Sequence, residues 1–332
     1  MAKVAINGLG RIGRATLRVV LTKPELELVA INDIAPLDNL AYLVKYDTVY
    51  GRYGEDIRAE GSNLIVDGKT IPFYSERNPE DLPWGKLGVD IVFEATGVFT
   101  DREGAEKHVK AGAKYAIISA PTKSEDVPTV VHGVNTSDGE QRIISCASCT
   151  TNSITPVVEI IGRHFGIQKA IMTTIHGYTA SQSIVDGPHK KWRRGRAGAA
   201  NLVPTSTGAA IATTKALPQY EGKFNGVAVR APVPVGSVSD LTFVTEKDTT
   251  VEAINDVFRK EAQTEQYQEV MSVAEDPIVS SDIIGDPHAA IIDLGMTTVV
   301  DGNLVKVMSW YDNEWGYTNQ MVREAIQIAS TL

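Results

Sequence analysis

Two cysteines and six scattered histidines bound the chemistry open to this chain. Cys146 and Cys149 lie in SCASCTTN (145–152) at C-x-x-C spacing, while His108, His132, His164, His176, His189 and His288 share no local pattern. A structural zinc takes four ligands, and no second C-x-x-C or H-x-x-x-H follows, so no metal site is expected. A thioredoxin-like pair would follow the first strand of a small domain, whereas this one falls at the junction of two larger ones. A nucleophile fits better. Cys149 ends a strand and opens a helix, where unpaired backbone N–H groups and the helix dipole favour thiolate over thiol. The same N–H groups could stabilise an oxyanion on a carbon attacked by that sulfur. His176 closes the next strand, TTIH, and is the expected base.

A second constellation precedes this one. GLGRIG supplies Gly8, Gly10 and Gly13 between a strand, KVAING, and a helix, RIGRATLRVVL. In the G-x-G-x-x-G pattern the first glycine makes the tight turn, the second lets a pyrophosphate approach the backbone, and the third lets helix pack on strand. The phosphates would sit on the helix N-terminus, near the backbone of Arg11 and Ile12. Asp33 lies 20 residues beyond Gly13, at the end of a second strand, LELVAIND. An acid there bonds the adenosine ribose hydroxyls and repels a 2′-phosphate, which favours NAD over NADP. A thiolate beside a nicotinamide suggests aldehyde oxidation: a thiohemiacetal forms, hydride leaves its carbon for the cofactor, and a thioester remains.

Hydroxyls and arginines crowd the region after Cys149. Ser148 and Thr150 flank the cysteine, Thr179 follows His176, and PTSTG carries Thr205, Ser206, Thr207 and Gly208, with Arg194 and Arg230 supplying charge. Backbone N–H groups, hydroxyls and forked guanidinium groups are the usual tools of phosphate recognition. Spacing alone leaves a plainer alternative open, in which the Ser/Thr tracts are ordinary loops and HKKWRRGR (189–196) is a solvated basic face.

The elements that must position these groups fall into two sets. At 332 residues two domains are expected, each large enough for its own core. Strand, helix, strand units over the first 33 residues and again over 89–121 imply a parallel, doubly wound Rossmann sheet for residues 1–148, with further strands at TVVHGVN (129–135) and RIISCAS (142–148). From Cys149 a helix bent at Pro156 is followed by strand-like runs at 168–176, 224–234, 237–247, 288–295 and 304–313. Consecutive strands without crossover helices suggest an α+β domain with a largely antiparallel sheet over 149–313. The stretch 177–204 is too long for an ordinary connection and reads as a functional loop. The residues from Glu314 look helical. A net charge of −9 argues against general affinity for nucleic acid or anionic membrane, despite the local basic run. No apolar run reaches the roughly 18 residues of a membrane span, the start shows no leader, and two cysteines fit a reducing compartment, so the expected location is cytoplasmic.

The motifs NGLGRIGR, SCASCTTN, TIHGYT, VDGPHKKWRRGR, PTSTGAA and WYDNEWGY together resemble the phosphorylating glyceraldehyde-3-phosphate dehydrogenases, over nearly the whole chain. That resemblance implies NAD-dependent oxidation of glyceraldehyde 3-phosphate, with inorganic phosphate as acyl acceptor. It implies Cys149 as nucleophile and His176 as its activating base. Thr179, Arg194 and Arg230 would hold the substrate phosphate, and Ser148, Thr150, Thr207 and Gly208 the attacking phosphate. Gly8, Gly10, Arg11, Ile12, Gly13, Asp33, Arg77, Ser119 and Asn313 fall at cofactor positions, with Asn313 facing the nicotinamide carboxamide. It further implies a homotetramer with the long loop packed between subunits, and an NAD-binding domain over 1–148 completed by a C-terminal helix, 314–332. Two departures stand out: Cys146 replaces the family's usual Asn, and Ser153 stands where many members carry a second cysteine. Cys146 is expected either as a small buried hydrophobe or as a thiol that resolves an oxidised Cys149. The rival activity of the same class is erythrose-4-phosphate dehydrogenase, with water as acyl acceptor. A redox-sensing or nucleic-acid-binding protein without turnover is the rival of another class.

Overall fold

A computed structural model describes residues 1–54, 56–136 and 141–332. The chain divides into two compact units. One comprises Met1–Val130, Ser137–Ala147 and Met321–Leu332, and the other Val131–Thr136 and Ser148–Gln320.

The first unit is built on an eight-stranded sheet. Its strands are β1 (Ala2–Asn7), β2 (Leu26–Asn32), β5 (Ile57–Glu60), β6 (Asn63–Val66), β7 (Lys69–Tyr74), β8 (Ile91–Glu94), β9 (Tyr115–Ile118) and β10 (Ile143–Ser145), in the order β10-β9-β8-β1-β2-β7-β6-β5. A two-residue pair, β3 (Tyr46–Asp47) and β4 (Gly51–Arg52), stands apart. The strands from β10 to β7 run parallel, and the apolar residues of β1, β8 and β9 are buried. Helices α1 (Arg11–Val20), α2 (Leu37–Lys45), α3 (Trp84–Leu87) and α4 (Arg102–Lys110) accompany them. This is the expected doubly wound sheet. Its edge differs from expectation, because β7, β6 and β5 continue it as antiparallel hairpins. Asp67 and Gly68 join β6 to β7 with φ of +46° and +76°, the left-handed pair that a two-residue hairpin turn requires. TVVHGVN is not a strand: Thr129 makes one isolated bridge to Ser145, and the chain then turns. With the glycine of that run in the left-handed region, at φ +78°, apolar content alone did not make a strand.

The second unit holds a seven-stranded sheet. Its members are β11 (Ile167–Gly177), β12 (Val203–Ser206), β13 (Phe224–Ala231), β14 (Ser237–Thr245), β15 (Met271–Ala274), β16 (Ala290–Val300) and β17 (Leu304–Tyr311), ordered β12-β13-β11-β14-β17-β16-β15. Pairings are antiparallel except β11 with β13 and β15 with β16, so the sheet is largely antiparallel. β14 alternates strictly between buried and half-buried residues, the period of a strand covered on one side. Helices α5 (Cys149–Phe165), α6 (Ala209–Ala216) and α7 (Val251–Glu261) supply that cover. Ile154, Val157, Ile160 and Ile161 of α5 meet Leu241, Phe243, Val305 and Val307 in the main core. At roughly 1.5–3 kcal/mol for each fully buried large apolar side chain, this packing anchors the helix whose first residue is Cys149. α5 continues through Pro156 without a break. Helix α8 (Trp315–Ala329) follows β17.

Candidate active site

Cys149 is set by a sharp strand-to-helix turn. Ala147 adopts φ +56°, a left-handed conformation that a non-glycine residue takes only when its surroundings impose it. Its amide donates to Ser145 Oγ at 3.1 Å. Ser148 then caps α5, its hydroxyl accepting from the Thr151 amide at 3.1 Å. No acidic side chain occupies the first turn, so the positive end of the helix is uncompensated by protein carboxylates there.

The base comes from the sheet. His176 is the penultimate residue of β11, and its Nε2 lies 3.3 Å from Cys149 Sγ. Parallel pairing places Arg230 of β13 directly beside it. Arg230 Nη1 lies 2.6 Å from His176 Nδ1 and donates to the Gly177 carbonyl at 2.9 Å. Tyr311 presses the edge of its ring on the imidazole, with centroids 5.9 Å apart. Its hydroxyl shares hydrogen bonds with Thr150 Oγ1 (2.9 Å) and Thr174 Oγ1 (2.8 Å).

Burial governs the charges of this pair. It lowers the His176 pKa to about 3, with Arg230 and Arg194 acting in the same direction and the Gly177 carbonyl opposing. Burial also raises the Cys149 thiol above its ordinary value, against the opposing pull of Arg230 and of the hydrogen bonds from Thr150. Desolvation therefore works against the pull of the helix terminus toward thiolate, and favours a thiol opposite a neutral imidazole. A group that takes the thiol proton only as reaction begins suits this state.

Two cations stand nearby without acidic partners. Among the described residues neither Arg194 nor Arg230 forms a salt bridge, and burial lowers the pKa of both. Arg194 donates to Thr205 Oγ1 at 3.1 Å and to the Ser206 carbonyl at 3.4 Å, while the buried Nε of Arg230 has no partner. Partly buried guanidinium groups lacking carboxylates are suited to an exogenous anion.

The remaining phosphate candidates divide. Ser148 caps α5, Thr207 accepts from the Ala209 amide at 3.1 Å just ahead of α6, and Gly208, the N-cap of α6, is exposed. Thr179 shares a hydrogen bond with Ser181 at 2.8 Å. The Thr150 hydroxyl is buried against Tyr311, so the residue offers an anion its backbone N–H rather than its side chain. Tyr311 and Thr174 were missed by the motif reading, which had no reason to relate two strands so distant in sequence.

The first unit carries its own cavity, of about 350 Å³, lined in part by Gly8, Gly10, Asp33 and Arg77. Its glycines differ in what they do. A Cβ on Gly8, where φ is +94°, would lie 2.7 Å from the Thr96 amide, and one on Gly13 would lie 1.8 Å from the Gly8 carbonyl oxygen. A Cβ on Gly10 would meet nothing within 4 Å and would project into open space. Backbone shape thus explains the first and third glycines, and the second keeps clear the approach a pyrophosphate needs. Asp33 accepts from the Leu9 amide at 2.6 Å and the Ala35 amide at 2.9 Å, which holds its carboxylate at the cavity with lone pairs left for hydroxyls. These residues fit a dinucleotide. Ile12 follows Arg11 in the uncapped first turn of α1. Arg11 pairs with Asp47, Ser119 directly follows β9 with its amide donating to the Glu94 carbonyl at 3.0 Å, and Asn313 in the second unit accepts from Ser237 Oγ at 2.9 Å. Asn7, Asn32 and Thr96, also in the cavity wall, were not anticipated. A signal existed: KVAIN and LVAIN each end an apolar strand on a polar residue, at the strand ends where such sheets bind ligands.

Cys146 is buried, and burial together with Glu324 pushes its thiol well above the ordinary value. It packs as a small hydrophobe, and a thiol so reluctant to ionise is a poor resolving partner.

Residues 2–102 match the NAD binding domain of glyceraldehyde 3-phosphate dehydrogenase, and residues 148–313 match its C-terminal domain. The chain belongs to the glyceraldehyde-3-phosphate dehydrogenase family. It is 48% identical to glyceraldehyde-3-phosphate dehydrogenase 2 of Streptomyces avermitilis, with 99% of each chain covered. It is also 48% identical to the Geobacillus stearothermophilus enzyme, over 99% of this chain and 98% of that one, and 46% identical to that of Zymomonas mobilis, over 99% of both. NAD is the cofactor of this family, and its members are oxidoreductases.

Proposed function

We propose that this protein converts D-glyceraldehyde 3-phosphate, NAD and inorganic phosphate into 1,3-bisphosphoglycerate, NADH and a proton, with Cys149 as the covalent centre. The observation that carries this reading is the Cys149 Sγ to His176 Nε2 approach of 3.3 Å beside Arg230 and Arg194, two cations with no salt-bridge partner among the described residues.

The thiol proton passes to His176 as Sγ bonds to the aldehyde carbon, giving a thiohemiacetal. Backbone N–H groups at the start of α5 stabilise the developing oxyanion. His176 returns that proton to the oxyanion, giving the hydroxyl, and takes it again as hydride leaves that carbon, and a thioester remains on Cys149. NAD, when bound, supplies the hydride acceptor. An oxygen of inorganic phosphate attacks the thioester carbonyl, and the carbon–sulfur bond breaks to return the thiolate. An imidazole that is neutral at pH 7 is ready for both proton transfers.

Arg194, Arg230 and Thr179 hold the phosphoryl tail of the substrate, which converts remote binding into orientation at the aldehyde. Ser148, Thr207, Gly208 and the backbone of Thr150 receive the attacking phosphate. Gly8, Gly10, Gly13, Arg11, Ile12, Asp33, Arg77, Ser119 and Asn313 serve the cofactor. Residues 1–148 act as the NAD-binding domain, completed by the C-terminal helix, and 149–313 as the catalytic and assembly domain. The protein works in the cytoplasm as a homotetramer. Apolar side chains left open on one sheet face, Ile171 on β11 and Val227 on β13, together with Ile184, Val185 and Trp192 on the long loop, support self-association.

Following NADH absorbance with glyceraldehyde 3-phosphate or erythrose 4-phosphate, each with and without inorganic phosphate, tests this assignment. Phosphate-dependent turnover of the triose is expected. Phosphate-independent turnover of the tetrose would replace the assignment with its rival.

A further inference from the structure

Behind the wall of the cavity in the first unit lies a buried carboxylate. Glu94 ends β8 and is 1% exposed. Parallel register sets Asn7, at the end of β1, beside it, and Asn32, at the end of β2, beside Asn7. Three adjacent strands therefore finish in polar side chains at the carboxyl edge, where such sheets bind their ligands.

The direction of the hydrogen bonds among them is fixed by groups that can only donate. The Glu76 amide donates to Asn32 Oδ1 at 2.8 Å, so Asn32 Nδ2 donates to Asn7 Oδ1 at 2.7 Å, and Asn7 Nδ2 donates to Glu94 Oε2 at 2.5 Å. From the other side the Trp84 indole N–H donates to His108 Nδ1 at 3.1 Å, which leaves the ring proton on Nε2, 2.9 Å from the same Glu94 oxygen. Asn7 Nδ2 and His108 Nε2, 3.4 Å apart, share that oxygen. Glu94 Oε1 accepts from the Thr96 amide at 2.9 Å and from the Thr96 hydroxyl. Asn7, Asn32, Glu76 and Thr96 are all residues of the cavity wall. Thr96 also bounds the glycine loop, since a Cβ on Gly8 would lie 2.7 Å from its amide nitrogen.

We propose that Glu94 is a positioning residue for NAD: from behind the wall, its carboxylate fixes the ends of β1 and β2 and the chain just after β8 in the shape that receives the adenosine diphosphate half of the cofactor. The inference rests on the reading of this cavity as the cofactor site. Glutamine at 94 has the same shape and cannot do the same work. Turned one way its NH2 group faces the Thr96 amide, and turned the other it faces the Asn7 and His108 donors. Asn7 cannot reverse without setting Asn32 against the Glu76 amide, nor can His108 change tautomer without setting Nδ1–H against the Trp84 indole. Either orientation leaves a buried donor unpaired at the wall.

The full chain is titrated calorimetrically with NAD and with ADP-ribose, as the parent, Glu94→Gln, Asn32→Ala and the double variant. Glu94→Gln should weaken both ligands about ten-fold or more, and by the same factor. Its KM for NAD should rise while kcat at saturating NAD stays within about three-fold. Because Asn32 stands in the same chain of hydrogen bonds, the losses in the double variant should fall short of multiplying. Ile65→Val, a buried change on β6 away from the cavity wall, is the control for lowered stability and should leave NAD affinity unchanged. Affinity of Glu94→Gln within about three-fold of the parent, an equal loss in Ile65→Val, or losses that simply multiply would overturn the proposal. Nitrogen-15 spectra of the imidazole-labelled parent, with His108 assigned by its proximity to the Trp84 indole proton, need no variant to fold. Nε2–H is expected there, and Nδ1–H refutes the hydrogen-bond directions on which the role of Glu94 depends. Gly10→Ala separates the two readings. If only Glu94→Gln leaves NAD binding unchanged, the site stands and the positioning role falls; if both variants do, the site falls with it.

Discussion

Gly10→Ala and Gly13→Ala separate cofactor chemistry from fold within one short loop. A Cβ at Gly13 would stand 1.8 Å from the Gly8 carbonyl oxygen, backbone against backbone, so strand and helix must part by more than an ångström. Overpacking of that kind costs about 3 kcal/mol, or a fall of roughly 6–12 °C in Tm for a domain of this size. A Cβ at Gly10 meets nothing within 4 Å, and φ there is −68°, so alanine is tolerated and Tm should hold within about 2 °C. What Gly10→Ala removes is close access of a pyrophosphate to the start of α1. Losing one hydrogen bond from backbone to a charged phosphate costs about 1.5–3 kcal/mol, which weakens NAD binding roughly 10- to 150-fold. Calorimetric titration with NAD and thermal melts of the three proteins decide the matter. NAD affinity in Gly10→Ala within about three-fold of the parent would refute the placement of the pyrophosphate, and a collapse of its Tm would refute the reading of that space as open.

Four further outcomes are expected. Cys149→Ser should lower NADH formation by at least about 10³-fold while leaving the melting curve unchanged, as measured by stopped assay and calorimetry. His176 is held near pKa 3, against about 6.5 when unfolded, so its stabilising contribution is complete above pH 6.5 and is lost as pH falls toward 3; urea unfolding at pH 7 and pH 5 should show the parent losing about 2 kcal/mol more than His176→Asn. Tyr311→Phe strips the hydroxyl shared by Thr150 and Thr174 and should destabilise the protein by about 1–3 kcal/mol in urea, with no change in NAD affinity. Arg194→Ala should raise KM for the phosphorylated aldehyde more than about ten-fold, with a much smaller effect on an unphosphorylated aldehyde.

The sites were more legible than the edges of the sheets. Cys149, His176 and the glycine loop announce themselves because their chemistry needs particular residue types at particular strand and helix ends, and motif spacing records those ends. The hairpins β5–β7 also left a trace, the Asp67-Gly68 turn, but the flanking strands are short and their apolar residues do not alternate cleanly with polar ones. TVVHGVN misled for the opposite reason: its apolar residues are buried without being paired. The charge state of Cys149 was beyond reach of spacing, since it depends on how deeply the thiol sits and on Arg230, brought alongside by the parallel register of β11 with β13. Tyr311 escaped notice on the same ground, its partners Thr150 and Thr174 being far from it in sequence.

Desolvation and the two arginines together favour the neutral forms of the resting pair. The half-buried Cys149 thiol and the buried imidazole each favour their neutral forms, and an ion pair between them would need compensation from its surroundings. Among the described residues the surroundings instead hold positive charge without acidic partners, which penalises a second cation on His176 and suits Arg194 and Arg230 to an anion. A phosphorylated aldehyde brings that negative charge with it, on the far end from the carbon to be attacked. If the tail binds these arginines as proposed, it relieves the like-charge strain at the moment the carbonyl arrives, and an unphosphorylated aldehyde of the same length cannot. On the proposed assignment of Arg194 and Arg230 to the substrate phosphate, discrimination is electrostatic before it is steric: the repulsion between the two arginines is what the correct substrate removes.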